Sequence, residues 1–242
     1  MQVQKTLSAD SLTEFYHDEF VEDQVRDFLT LMEREKVSVG VVADVGGGCG
    51  FFARALQQRS AWRVRVLDMD PKSIDTCQRN GVLAQLADAL QPELIGDERI
   101  ASFNLILHHL VGSTAALTRR MQIEALRAWA EQAERLFVNE YIYESHGVPR
   151  ASAYLIWAIT SSTFLSLIGR AVGVLVPSLR ANTFGVGVRF RGADEWTELF
   201  RDAGYQVLAA HRGEEEHVSL ARRVLLIKSC RRDSFLLSKV NL

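Results

Sequence analysis

The apolar positions change period several times along the chain, and each change marks an element. Over residues 11–36, Phe15, Phe20, Val21, Val25, Phe28, Leu29 and Met32 recur at helical spacing, with Ser8 or Asp10 placed to cap the start. A short, mostly apolar run over 37–45 ends in glycines, the pattern of a strand buried on both faces. Alternation follows: 51–59 reads as helix, 63–67 as strand, 71–80 as helix and 82–86 as strand. It continues with strand over 103–107, helix over 117–134 and strand over 136–143. Strands alternating with helices of this length predict an α/β fold, a mostly parallel sheet wound on both faces.

The end of the chain breaks that rhythm. A helix over 194–203 stops at Gly204, a strand follows over 205–210, and a turn rich in Glu214, Glu215 and Glu216 leads to a strand over 224–227. Two strands without a helix between them must pair antiparallel, because a parallel crossover needs a dozen or more residues. The segment 144–192 is an insertion that the repeating pattern does not require. One domain is expected: a helical lid (1–36), a core (37–143), the insertion, and a closing helix and strand pair (193–242).

Composition narrows the partners. With 28 basic against 30 acidic residues the net charge is -2, which supplies no footprint for nucleic acid. Cys49, Cys77 and Cys230 show no ligand spacing, so neither a disulfide framework nor a metal site is expected. The first ten residues hold no apolar run of signal-peptide length, which makes the cytoplasm the expected compartment. Residues 151–169 carry no charge but include six serines and threonines, so a buried helix is expected there and no stable membrane insertion.

The chemistry starts at residues 44–50, DVGGGCG, where the first strand meets a helix. In a wound α/β sheet that junction opens on the ligand crevice, and glycines let backbone N–H groups approach a ligand closely. The run resembles motif I, (D/E)xGxGxG, of the class I S-adenosylmethionine-dependent methyltransferases. Asp44 falls on the acid, and Gly46, Gly48 and Gly50 fall on the glycines, with Gly47 between them. Two further acids match in register: Asp68 in LDMDP after the second strand, and Asp88 in LADA after the third.

The resemblance implies a seven-stranded sheet with an antiparallel last strand and S-adenosylmethionine as cofactor. It also implies roles. Asp44 and the glycines would hold the methionine part, Asp68 the ribose hydroxyls, Met69 the adenine face, and Asp88 with Ala89 the adenine amino group. A nicotinamide dinucleotide enzyme is the rival, since GCGFFA over 48–53 fits GxGxxA. Asp44 argues against it, because it would bury an unpaired charge in a dinucleotide site.

Methyl transfer needs an aligned, desolvated acceptor and, for a hydroxyl or ammonium, a base. His108 or His109 after the fourth strand is the first candidate, with opposite strand faces expected for the two; hydrogen bonding at a strand end is the plainer role. Asn104 stands where the family usually carries an aspartate. Glu140 at the end of the fifth strand is a second candidate, as base or acceptor clamp, and His146 a third. Tyr16, Tyr154 and Trp157 are expected around a small-molecule acceptor methylated on oxygen or nitrogen. The apolar insertion residues equally suit a homodimer interface. A chain that binds the cofactor as a non-catalytic partner is the other reading.

Overall fold

The computed structural model describes residues 18–92, 96–176 and 183–240. Seven strands form one sheet in the order β3-β2-β1-β4-β5-β7-β6. They are β1 (Val41–Val45), β2 (Arg63–Asp68), β3 (Leu83–Leu86), β4 (Glu98–Asn104), β5 (Arg135–Ser145), β6 (Tyr205–His211) and β7 (Ile227–Lys239). β1 to β5 pair in parallel, and β7 runs antiparallel between β5 and β6. The order reverses beside β1, so β1 and β4 splay open a crevice at their carboxyl ends, where such sheets bind ligands.

The helices cover both faces. α1 (Asp18–Arg34) and α2 (Phe51–Arg59) lie on one face. There Phe28 meets Phe52, Trp62 and Phe137 edge-on at 5.1–5.9 Å between centroids. α3 (Pro71–Arg79) follows β2. On the other face, α4 (Ala115–Ala128) and α7 (Ala193–Asp202) enclose Trp129, Trp196, Phe200 and Phe103. α1 is thus a core helix; Phe28 is fully buried and Val25 and Leu31 nearly so. Of the lid expected over 1–36, residues 18–34 form this helix on the core, while residues 1–17, with Tyr16, Ser8 and Asp10, lie outside those described.

Three expectations are corrected. β4 stops at Asn104 because Leu105 takes a left-handed backbone (φ 54), and Leu107–His109 forms a 3-10 turn instead of strand. Residues 224–226 belong to the exit of a short helix, α8 (Leu220–Arg223), capped by Ser219; the last strand begins at Ile227 and runs 13 residues. The uncharged stretch is not one buried helix. It divides at Ser162 into α5 (Ala151–Ser161) and α6 (Thr163–Leu175), bent by 99°, because the Ser162 side chain caps the second helix.

Candidate functional site

β1 delivers Asp44 fully buried to the crevice floor. The loop beyond it is glycine by necessity. Gly46, Gly48 and Gly50 all take positive φ, a region that L side chains avoid. A Cβ on Gly46 would stand 2.6 Å from the Ile106 side chain, so the loop lies directly against the turn that follows β4. A Cβ on Gly50 would stand 2.8 Å from Cys77 Sγ, whose thiol donates to the Gly48 carbonyl at 3.2 Å. Burial pushes that thiol up to about 12, so Cys77 is packing, not a nucleophile. Above Gly48 the space is open, with nothing within 4 Å of its Cβ position.

The two acids of LDMDP divide the work. Asp70 caps α3, accepting from the N–H groups of Lys72 and Ser73. Asp68 braces the glycine loop: Oδ2 accepts from Gly48 N–H at 2.9 Å and Oδ1 from Asp70 N–H at 2.8 Å. Burial raises the Asp68 carboxyl against those bonds. Met69 beside it is exposed. Asp88 folds its own turn by accepting from Leu90 N–H at 2.9 Å, and the Trp129 indole donates to the Ala89 carbonyl at 3.2 Å.

Asn104, the departure from the family pattern, has a visible task. Its amide donates to Asp44 Oδ1 at 3.2 Å and to Ser102 Oγ at 2.8 Å. Asp44 Oδ2 is buried without a hydrogen-bond partner. Loss of water is the main reason its carboxyl is pushed up to about 7, with the Asn104 bond opposing and nearby Asp68 adding. A buried carboxylate oxygen left open in this way is expensive unless a donor or cation comes to it.

The second cluster sits past β4. Alternation along β5 sends Asn139 one way, where its amide donates to Ser234 Oγ at 2.8 Å, and Glu140 the other. Glu140 is fully buried, and its Oε1 accepts from Leu107 N–H at 2.7 Å and His108 N–H at 3.3 Å. Its Oε2 lies 2.7 Å from His108 Nδ1. The carboxylate therefore holds both the turn and the ring. His108 and His109 do not point to opposite faces as strand residues would. The 3-10 turn brings their rings to 4.2 Å. Burial and His108 lower the His109 imidazole well below its ordinary range, and its Nδ1 is buried without a partner.

Residues that pattern reading missed complete the back wall. The Phe190 ring lies 4.9 Å from His108, and Arg189 N–H donates to the His108 carbonyl at 2.9 Å. The Gln122 amide donates to the Leu107 carbonyl at 2.9 Å, while Arg191 donates to Gln122 Oε1. Arg189 and Arg191 share Glu195. Both arginines, nearly enclosed inside a long stretch without acids, were the available signal. Tyr154 lies over the Arg189 guanidinium at 4.1 Å, and the buried Trp157 indole N–H has no partner. His146 is not brought to the cluster. It is exposed and lies six residues past Glu140 along extended chain, roughly 20 Å away.

The comparisons agree with this architecture. No family model matches the chain. A ribosomal protein L11 methyltransferase of Geobacter metallireducens is 33% identical over 98 residues, which span 38% of this chain and 33% of that protein. Magnesium protoporphyrin IX methyltransferase of Synechocystis, solved with bound SAH, superposes with a TM-score of 0.53 at 14% identity. That match covers 92% of this chain and 82% of that one. An O-methyltransferase of neocarzinostatin biosynthesis, solved with SAM and 2-hydroxy-5-methyl naphthoic acid, gives 0.52 at 19% identity. It covers 84% of this chain, which spans 49% of that one. The chain has the fold of the S-adenosylmethionine-dependent methyltransferases.

Proposed function

We propose that this chain binds S-adenosylmethionine in the β1 crevice and transfers its methyl group to oxygen or nitrogen of a small-molecule acceptor. The observation that carries the reading is the buried Asp44 oxygen without a partner, set under a left-handed glycine loop with open space above Gly48. A cationic amino group beside Asp44 would restore the lost interaction, and the sulfonium cofactor carries one. The Asp68 carboxylate keeps free lone pairs for ribose hydroxyls, exposed Met69 offers a face for adenine, and Asp88 with Ala89 closes its edge. Bound there, the cofactor supplies an electrophilic methyl carbon and leaves as a neutral thioether.

The protein's task is to orient the acceptor and take its proton. The His108 Nδ1–H donates to Glu140, which fixes the tautomer and leaves the lone pair on Nε2. Among the described residues nothing bonds Nε2. His108 Nε2 accepts the proton from the acceptor hydroxyl or ammonium, and Glu140 stabilises the imidazolium so formed. Glu140 orients the base in this scheme. His109 stays neutral beside it, and Tyr154 and Trp157 border the acceptor from α5. The naphthoic acid bound to one structural neighbour and the porphyrin named for another support a small-molecule acceptor, whereas the Geobacter relative is named for a protein acceptor.

Calorimetric titration with S-adenosylmethionine, S-adenosylhomocysteine and NAD tests the reading. Micromolar binding of the two sulfur nucleotides with no binding of NAD is expected. Binding of NAD alone, or of none, overturns it. Tight cofactor binding without turnover across a broad acceptor panel would favour the non-catalytic partner role.

A further inference from the structure

The second helix of the insertion is built inside out. α6 turns its small residues to the protein. Ser166 Oγ donates to the Ile159 carbonyl at 2.8 Å, a Cβ on Gly169 would stand 2.5 Å from the Phe184 ring, and Gly173 is buried. Its large side chains face out: Phe164 is 70% exposed and Leu175 84%, with Leu167, Ile168, Val172 and Val174 exposed between them. A surface helix of a globular protein shows the reverse pattern, and a contiguous apolar patch of this kind marks a docking face.

α5 ties this face to a second one. Ile156 and Leu225 both pack on the cluster of Val218, Ile227 and Cys230 beside α8, where Leu220 and Val224 are exposed. Charge is sorted on the same flank. The sequence holds no Asp or Glu between Glu144 and Asp194, or between Glu216 and Asp233. Those two spans carry exposed Arg170, Arg223 and Lys228, besides Arg150, which pairs with Glu195 and Glu198, in a chain whose net charge is -2.

We infer that this flank docks on an anionic lipid surface, with α6 lying in the plane of the interface. Its apolar side chains enter the headgroup–acyl boundary and the basic side chains meet lipid phosphates. The 99° bend between α5 and α6 suits a helix that lies on a bilayer, and no single helix among the described residues is long and apolar enough to cross one. Charge selects lipid over a second copy. A two-fold contact through this face would set Arg170, Arg223 and Lys228 against their own copies, with no Asp or Glu in either span to pair them.

Vesicle co-sedimentation tests the inference without reference to methyl transfer. The intact chain is mixed with phosphatidylglycerol–phosphatidylcholine vesicles or phosphatidylcholine alone, at low and high salt, with light scattering of the free protein. At low salt, binding to the anionic vesicles should exceed binding to phosphatidylcholine by about tenfold or more. Leu167→Glu/Val174→Glu should abolish sedimentation while thermal melting stays unchanged. Arg223→Glu/Lys228→Glu should remove the preference for anionic lipid. Absence of binding, binding indifferent to both variants, or a dimer that the α6 variant converts to monomer would each overturn the assignment.

Discussion

The glycine-loop crevice and the α5–α6 flank lie in one chain and obey opposite rules. In the crevice nearly every polar group is answered from within: Asp68 by Gly48 and Asp70, Glu140 by Leu107 and His108, Asp88 by Leu90. What stays open among the described residues is a small set of polar atoms, Asp44 Oδ2, Asn104 Oδ1, His109 Nδ1 and the Trp157 indole N–H. On the flank the open surface is apolar and large, and small residues fill the buried seam of α6. The difference teaches that a site for a small polar molecule appears as missing hydrogen bonds, whereas a site for an extended surface appears as missing burial.

The sharpest way to break the comparison is His108→Ala. Turnover with the acceptor found by screening should fall by roughly 10²- to 10⁴-fold, the usual worth of a positioned base. Cofactor affinity should hold. Glu140→Gln should lower the rate and change the shape of the pH–rate profile, because the imidazolium loses its counter-charge; an unchanged profile would remove the dyad.

Asp44→Asn comes next, and its two effects have opposite signs. Burial holds the folded-state carboxyl near 7 against an ordinary value of 3.8, so the folded chain keeps a proton the unfolded chain has released. That group's contribution to stability is full below about pH 3.8 and is lost as pH rises through about 7. The asparagine variant should therefore gain up to about 4 kcal/mol relative to the parent at pH 8, read by thermal or urea melts across pH. It should also bind S-adenosylmethionine more weakly. Equal stability at pH 8 would mean that a buried donor already answers Asp44.

Asp68→Ala should weaken cofactor binding by about 1.5–3 kcal/mol in calorimetry, more than an exposed change would. The smallest effect belongs to the flank. Leu167→Glu should shift stability by less than about 0.5 kcal/mol, since the side chain contacts mostly solvent, and should leave turnover unchanged. A large loss of stability would show that α6 packs more tightly than its exposure indicates.

Much of this protein was determined by local sequence alone. The α/β alternation, the antiparallel finish, the glycine loop and its three acids follow from rules that act over a few residues: side-chain period, the glycine demand of positive φ, and the meeting of a strand end with a helix start. Residues 51–59 form the helix their spacing implies, and Asp44 and Asp68 stand at the carboxyl ends of β1 and β2, with Asp88 two residues past β3.

The tertiary structure decided what depends on contacts between distant segments. Leu105 takes its left-handed turn where its N–H bonds the Asn139 carbonyl on β5, which folds His108 onto Glu140 with the His109 ring beside it. Nor could spacing assign Asn104 to Asp44, sixty positions earlier, or separate Asp68 from Asp70. An uncharged stretch reads the same whether protein or lipid will cover it. Only the packing of Ser166, Gly169 and Gly173 against the body of the protein showed which face of α6 was left outside, because burial is a property of neighbours and not of the residue.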